Sequence, residues 1–264
     1  GILYIIIPIR SFVEPDEEEL RQTTIPKRLR VFAAGPMSNF VVVLVCLLLF
    51  SFVFIGSLQS TSDGVVIVSI SDNSPAEENG FEPGMIINSI NGSEINNSYE
   101  FFQVMNNTQA NTEVEVEYYW NGVKTKTVNL TDKYVEYEKR YPKLNNISNK
   151  GKGFIGIRPG AHEAYLSIMK NPFGSYINER FFIIISLPVS GYFEGYNPIA
   201  YPFTESFEIT GPLSILPEPI FWGIVNILYW VFWLNLMVGL FNVVPMIPLD
   251  GGYLFNDYIK AAIK

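Results

Sequence analysis

The sequence predicts a membrane α-helical core, made of two spans plus a short re-entrant or interfacial segment, with an α+β domain inserted between the spans. Two charge-free runs predict the spans, Val31–Ser62 with 32 residues and Pro219–Leu249 with 31 residues. Each run is long enough, because a spanning helix needs about 20 predominantly apolar residues. Alternating strand and turn signals between the two runs predict the inserted domain.

The composition supports a membrane protein and excludes several other classes. Charged residues make up 17% of the 264 residues, whereas a soluble domain carries about 25%. The mean hydropathy is positive. The net charge is −8, which argues against a nucleic-acid partner, because such a protein needs a basic face. A single cysteine, Cys46, and a single histidine, His162, exclude a disulfide framework and a multi-His metal site within these residues.

The chain divides into six predicted segments. The opening strand, Ile2–Pro8, offers an edge to which an extended substrate can add by β-augmentation. The apolar stretch Phe181–Phe193 is too short to span and is interrupted by Pro188 and Gly191, so it is predicted to be re-entrant or interfacial. The segments are a strand-rich membrane-associated segment at 1–35, a transmembrane helix at 36–58, the inserted domain at 62–132, an extracytoplasmic linker at 133–180, the interfacial segment at 181–218, and a transmembrane helix at 219–264.

The distribution of Lys and Arg predicts the orientation of an integral, multi-pass membrane protein. Basic residues close to a span favour the cytoplasmic side. Both ends of the chain are therefore predicted to be cytoplasmic, with residues 60–218 outside. The basic residues in question are Lys27, Arg28 and Arg30 before the first span, and Lys260 and Lys264 after the second.

The inserted domain has a specific pattern of strands and turns. Gly64–Ile70 is a β-branched strand, Ser74-Pro75-Ala76 opens a short helix, and Asn91-Gly92 is a hairpin turn. A helix is predicted at 98–105, and strands are predicted at 112–120 and 123–130. The stretch from 62 to 132 resembles a PDZ domain of the kind attached to membrane and envelope proteases.

The PDZ resemblance implies that the domain binds an extended peptide as an added strand. The groove is expected between the strand at Val65–Ile70 and the helix at Ser98–Met105. The alternative is that the domain only packs against the membrane part or gates it. The residues expected to line the groove are Val65, Val66, Ile67, Val68 and Phe102.

Asp250 is the candidate metal ligand. It follows the second charge-free run directly, and two prolines and two glycines break the helix around it. Broken backbone at membrane depth must line a cavity that is buried in protein or filled with water. By position alone, an ordinary aspartate at the end of a span is the favoured interpretation.

The surrounding motifs favour a different interpretation. Residues 242–252, Asn-Val-Val-Pro-Met-Ile-Pro-Leu-Asp-Gly-Gly, resemble the Asn-x-x-Pro-x-x-Pro-Leu-Asp-Gly-Gly motif of site-2 proteases, which are intramembrane zinc metalloproteases. Residues 32–40, Phe-Ala-Ala-Gly-Pro-Met-Ser-Asn-Phe, resemble the Ala-Gly-Pro-x-x-Asn entry to a core helix in the same family. The order of Gly-Pro helix, PDZ domain and Leu-Asp-Gly helix also matches.

The resemblance implies a protease that cleaves transmembrane segments of membrane proteins with Zn²⁺ as its cofactor. It implies that Asp250 is the third zinc ligand and that Asn242 is a catalytic residue, which holds the substrate or stabilises the oxyanion. Asn39, Pro245 and Gly251 are expected to support the site. The expected partners are transmembrane protein substrates, peptide segments at the PDZ domain, and membrane lipid.

One family motif, His-Glu-x-x-His, is absent from these residues. His162-Glu163 resembles its start, but Leu166 stands where the second histidine belongs, so His162 is predicted to be a surface residue. The family motif is expected to lie upstream of Gly1. The alternative is a non-catalytic membrane-tethered PDZ adaptor or a pseudoprotease. A transporter fragment with Asp250 on an ion path is weaker, because two spans with a PDZ insert are not a transporter pattern.

Overall fold

The computed structural model describes residues 2–4, 8–11, 22–246 and 249–262. The chain forms two compact units. One unit, called the helical unit, is drawn from residues 1–47 and 228–264. The other, called the middle unit, comprises residues 48–227.

Among the residues that the structure describes, the helical unit contains a short antiparallel hairpin and three helices, two of which extend into the middle unit. The first helix continues beyond residue 48, through a π-helical stretch and a 3₁₀ turn, as far as Ser57. Two helices, Ile25–Ser57 and Glu218–Val243, are long and apolar enough to cross a membrane. The elements are β1 at Ile2–Tyr4, β2 at Pro8–Ser11, α1 at Ile25–Leu48, α7 at Glu218–Val243 and α8 at Asp250–Ala262.

The first long helix begins earlier than the sequence predicts. The sequence predicts the transmembrane helix at 36–58, with the Ala-Gly-Pro-x-x-Asn motif as its entry. In the structure α1 begins at Ile25 and Pro36 lies buried in its interior. The predicted strand-rich segment is therefore wrong for residues 25–35, which are helical, whereas residues 2–4 and 8–11 do form strands.

The second span ends in a broken helix, as predicted. Helix α7 ends at Val243, and α8 begins at Asp250. Residues 244–246 and Leu249 are not helical. Gly251 lies in the first turn of α8, so the prediction that the glycines help to unwind the helix is wrong. Pro248, the second proline of the motif, lies outside the described residues.

The middle unit contains ten strands and several short helices among the residues that the structure describes. The strands are β3 at Leu58–Ser60, β4 at Val65–Ile70, β5 at Ile86–Ile90, β6 at Ser93–Glu94, β7 at Glu113–Tyr119, β8 at Val123–Asn129, β9 at Thr131–Asp132, β10 at Gly153–Phe154, β11 at Ile157–Gly160 and β12 at Phe207–Ile209. The α-helices are α2 at Pro75–Glu78, α3 at Ser98–Asn106, α4 at Lys133–Arg140, α5 at His162–Lys170 and α6 at Ile177–Glu194.

The main sheet is antiparallel, with the strand order β11-β4-β5-β7-β8, and β6 pairs with β5. The helix cap, the turn and the alternating strand that the sequence predicts for this domain are present in the structure. The Ser74 hydroxyl caps α2 by accepting from the backbone N–H of Glu77, and Asn91 and Gly92 make the turn between β5 and β6 with positive φ angles of 50° and 73°. Alternate residues of β7 are buried, as the alternating sequence predicts.

The sheet extends beyond the predicted domain boundary. Strand β11 pairs antiparallel with β4, from Ile157 opposite Ile70 to Gly160 opposite Val66. The predicted linker at 133–180 therefore contributes a strand to the domain. The sequence shows only a short apolar run at 153–157, and its pairing with a strand almost 90 residues earlier cannot be predicted locally.

Two further features of the middle unit bear on the membrane. Strand β12 pairs with β3, so the segment that leaves the first long helix is hydrogen-bonded to the segment that leads back toward α7. Helix α6 runs without interruption through Pro188 and Gly191, so the predicted interruption there is wrong. Its buried residues Ile184 and Leu187 lie on one face, whereas Phe182 and several other large apolar residues are exposed.

Candidate metal centre and peptide groove

The start of α8 lies against α1 at three successive levels. Arg28 and Asp257 form an ion pair with two hydrogen bonds, of 2.8 Å from Nε to Oδ2 and 3.0 Å from Nη2 to Oδ1. The rings of Phe32 and Tyr253 stack at a centroid distance of 5.0 Å and an interplanar angle of 13°. At the third level, a Cβ placed on Gly35 would lie only 3.0 Å from Oδ2 of Asp250. The glycine thus leaves the space into which the carboxylate fits.

Asp250 is the first residue of α8, and it is partly buried. No hydrogen bond or ion pair joins its carboxylate to any residue that the structure describes. Partial burial makes the charged form of this carboxylate less favourable than it is in water. A partly desolvated carboxylate without a polar partner is suited to a cation, which would supply the missing opposite charge.

Gly251 permits a close approach of two backbones next to this carboxylate. A Cβ on Gly251 would lie 2.3 Å from the carbonyl oxygen of Val243 and 2.5 Å from that of Val244. Any side chain would therefore displace the backbone at the end of α7. The predicted supporting role of Gly251 has this physical basis, whereas Pro245 is exposed in the turn between the two helices.

The two asparagines of the motifs lie on α1 and α7. A Cβ on Gly239 of α7 would meet the ring of Phe40 at 3.2 Å and Cβ of Asn39 at 3.4 Å, so the two helices are in close contact there. Asn242 is half-buried in the last turn of α7, three residues after Gly239. The structure thus brings Asn39 to the turn of α7 that precedes Asn242.

The donor set tests whether a metal fits here. Within the described residues, no group of three or more His, Cys, Asp or Glu side chains is close enough together to hold a metal ion. The described residues around Asp250 therefore do not by themselves supply the three protein ligands of a zinc site. A catalytic zinc site takes three protein ligands and a water.

His162 is not a surface residue, so that prediction is wrong. It is the first residue of α5 and is fully buried, and its Nε2 lies 2.8 Å from the hydroxyl of Ser60 and 3.3 Å from the carbonyl oxygen of Ser62. Burial lowers the pKa of His162 to about 4, so the imidazole is neutral at pH 7. The helical spacing of His162, Leu166 and Met169, which are all buried, is the signal that sequence reasoning missed.

The structure also contradicts the predicted groove beside β4. Pairing with β5 and β11 occupies both edges of β4 at Val66. The predicted groove residues of this strand are buried in two apolar clusters, Val65 and Ile67 in one and Val66 and Val68 in the other. They cannot contact an added peptide, whereas Phe102 on α3 is 49% exposed.

The free edge belongs instead to β11. In the sheet as described, β11 is an outer strand, and α3 packs against β10 and β11. Pro159, which has no N–H to donate, is compatible with such an outer position. Sequence reasoning missed these residues, although the short apolar run at 153–157 marked the start of the segment.

Comparison with known proteins identifies a family model and several relatives that match most of this chain. A family model described as peptidase family M50 matches residues 3–264. The zinc metalloprotease RasP of Shouchella clausii is 26% identical over 252 residues, covering 93% of this chain and 54% of that protein. The zinc metalloprotease RasP of Bacillus licheniformis is 27% identical over 263 residues, covering 94% of this chain and 54% of that protein. The chain thus spans about half the length of these relatives.

Among solved structures, the PDZ domain of the SdrC-like protein from Listeria monocytogenes is 22% identical, with a TM-score of 0.29, covering 38% of this chain and 92% of that chain. The family model covers nearly all of this chain, including the hairpin, both long helices and the segment around Asp250. The chain therefore belongs to peptidase family M50, the site-2 protease family.

Proposed function

We propose that this chain is part of an intramembrane zinc metalloprotease that cleaves transmembrane segments of membrane proteins, and that Asp250 is one of its zinc ligands. The observation that carries the proposal is the Asp250 carboxylate, which is partly buried against Gly35 without a polar partner among the described residues. Family membership and the named zinc metalloproteases among the relatives support the same reading.

Zinc bound here would lower the pKa of a bound water to about 7 and so supply hydroxide at neutral pH. The chain's own contribution is to hold the Asp250 carboxylate at the start of a fixed helix. In the family, two further ligands come from a His-Glu-x-x-His motif, which these 264 residues do not contain. The Asn242 amide, at the end of α7, is proposed to donate to an unwound substrate strand or to the developing oxyanion.

Substitution of Asp250 by Asn tests this proposal in the full-length protein. Asn caps a helix about as well as Asp, so a merely structural residue would tolerate the change. We expect zinc content and cleavage of a transmembrane substrate both to fall sharply in Asp250→Asn. The matched control is Asp72→Asn, the same chemical change at an exposed residue of the middle unit, which should leave both unchanged. A correctly folded Asp250→Asn protein that keeps its zinc and its activity would refute the assignment.

We infer a second activity for the middle unit, the binding of an extended peptide along the outer edge of β11. An edge strand presents unpaired backbone groups, and addition of a strand is a common mode of peptide recognition. Helix α3 would flank the peptide on the other side, where Phe102 is exposed for contact with its side chains.

Selection of extended peptides from a displayed library on the full chain tests this inference. We expect Phe102→Ala to weaken the binding of selected peptides. Val123→Ala, at an exposed position of β8 on the opposite edge of the sheet, should not affect it. Binding that is lost in Val123→Ala and retained in Phe102→Ala would place the peptide on the wrong edge for this proposal.

The orientation in the membrane is also a proposal. The Lys and Arg bias supports cytoplasmic ends with the middle unit outside. Helix α6 is proposed to lie at the lipid interface, because Phe173, just before it, stacks on Phe52 of the first long helix at a centroid distance of 6.4 Å. The exposed side of α6 carries Phe182, Tyr192 and Phe193, all at least 70% exposed, and aromatic side chains are enriched at membrane interfaces.

The alternative function is a membrane-tethered peptide-binding adaptor. The observation that favours it is the outer position of β11 in the sheet, since the addition of a peptide strand there would need no metal. The same full-length preparation separates the two candidates. Zinc content close to one ion per chain supports the protease, whereas a zinc-free full-length protein that still binds selected peptides supports the adaptor.

A further inference from the structure

The ion pair between Arg28 and Asp257 joins α1 to α8 and is largely shielded from solvent. The side chains of Arg28 and Asp257 are only 17% and 7% exposed, and the guanidinium faces the carboxylate with two parallel hydrogen bonds. The third guanidinium nitrogen, Nη1, donates to the carbonyl oxygen of Thr23, just before α1 begins. The charge of Asp257 is thus held at one point on α1.

The pair is the far end of a regular series of contacts. Along α1, Arg28 is followed by Phe32 and Gly35 at intervals of four and three residues. Along α8, which runs antiparallel to it, Asp257 is preceded by Tyr253 and Asp250 at the same intervals. Each level pairs one residue of each helix, so a displacement at one level displaces all three.

Apolar contacts alone do not determine the position of one helix along the axis of its neighbour. A slip by one helical turn moves a residue by about 5.4 Å, which would carry the Asp250 carboxylate away from the space left by Gly35. A slip of this size would part the two side chains and leave the Asp257 carboxylate, which is only 7% exposed, without its guanidinium partner. Setting register is the best-attested use of buried polar pairs.

We propose that the buried Arg28–Asp257 pair sets the register of α8 on α1, and thereby the position of the Asp250 carboxylate. Arg28 and Asp257 are positioning residues, seven residues away from the positions that they align. The consequence for zinc rests on the proposed function, whereas the register itself does not.

A cross-linking experiment on the full chain in membranes tests the register directly. Cysteines replace Phe32 and Tyr253 in a Cys46→Ala background, and a short bifunctional thiol reagent joins them. Removing the two rings leaves the ion pair as the main contact that sets the register. We expect Arg28→Gln or Asp257→Asn to slow cross-linking about tenfold or more, because either change removes the ion pair that joins the two helices. In Arg28→Gln the Asp257 carboxylate, which is 7% exposed, also loses its cationic partner. The exchanged pair, Arg28→Asp with Asp257→Arg, should restore it.

A double substitution to apolar residues distinguishes an effect on the register of the helices from an effect on the stability of the protein. Arg28→Met with Asp257→Leu should keep the protein folded, since apolar replacement of a buried ion pair is often neutral or stabilising. Cross-linking in this variant should stay slow, because the helices are then free to slide. The proposal would be overturned if the apolar pair or the single variants cross-linked at the rate of the parent protein. It would also be overturned if the exchanged pair did not restore that rate. The cross-link requires neither zinc nor substrate, so failure of Asp250 as a ligand would not change this readout.

Discussion

Acid should destabilise the middle unit through one residue, His162. In the folded chain burial lowers the pKa of His162 to about 4, against 6.5 for a solvated imidazole. Between these two values the unfolded chain binds a proton that the folded chain does not, so stability is fully present above pH 6.5 and falls as the pH drops toward 4. The difference of about 2.5 pKa units corresponds to a loss of about 3 kcal/mol by pH 4.

The contacts of the imidazole explain this cost. Its Nε2 is hydrogen-bonded to Ser60, whereas its buried Nδ1 has no hydrogen-bond partner in the described part of the chain. Protonation would add a charge and a second N–H at that nitrogen, with no acceptor to receive it. The hydrogen bond to the carbonyl oxygen of Ser62 and, to a smaller extent, the charge of Asp63 favour the protonated form, but together they offset only part of the effect of burial on the pKa.

The assay compares the wild-type chain with His162→Gln, because the glutamine amide replaces the Nε2 donor and does not titrate. Thermal unfolding in detergent is followed by near-ultraviolet circular dichroism from pH 7 to pH 4. Carboxylates titrate in both proteins, so the difference between them isolates the histidine. We expect the wild type to lose about 3 kcal/mol more than His162→Gln over this range. Parallel losses in the two proteins would refute the reasoning.

Two other predictions concern packing and topology. Gly251→Ala should destabilise the chain by about 2 kcal/mol in thermal unfolding, because its Cβ would lie 2.3 Å from the carbonyl oxygen of Val243. Gly223→Ala, where a Cβ meets nothing within 4 Å, should melt like the parent, and equal melting of both variants would contradict the prediction. A cysteine that replaces Val123 should react with a membrane-impermeant thiol reagent in intact cells. A cysteine that replaces Lys260 should react only after the cells are lysed. The reverse pattern would place the middle unit in the cytoplasm.

The sequence by itself determined the features that depend on neighbouring residues. Charge-free runs of more than 30 residues indicated both long helices, because length and apolarity are properties of one segment. Ser74-Pro75 fixed the start of α2, and Asn91-Gly92 fixed a turn, because each acts through its own backbone angles and hydrogen bonds. The residues between α7 and α8 likewise indicated the break that separates these two helices.

Local rules also misplaced some boundaries. The Gly-Pro motif placed the entry to the first span near Pro36, yet α1 begins at Ile25 and runs through that proline. Long apolar helices can accommodate the missing N–H of one proline. Pro188 within α6 is a second instance. In both cases the packing of the whole helix outweighed the preference of one residue.

Only the tertiary structure decided which distant residues meet. It placed β11 beside β4, buried His162 against Ser60, and paired Arg28 with a residue 229 positions later in the chain. The positions of the strands and helices carry local sequence signals, but these pairings do not. Their stability comes from excluding water at contacts between segments far apart in the chain, and a pattern within a single segment does not record which surface will cover it.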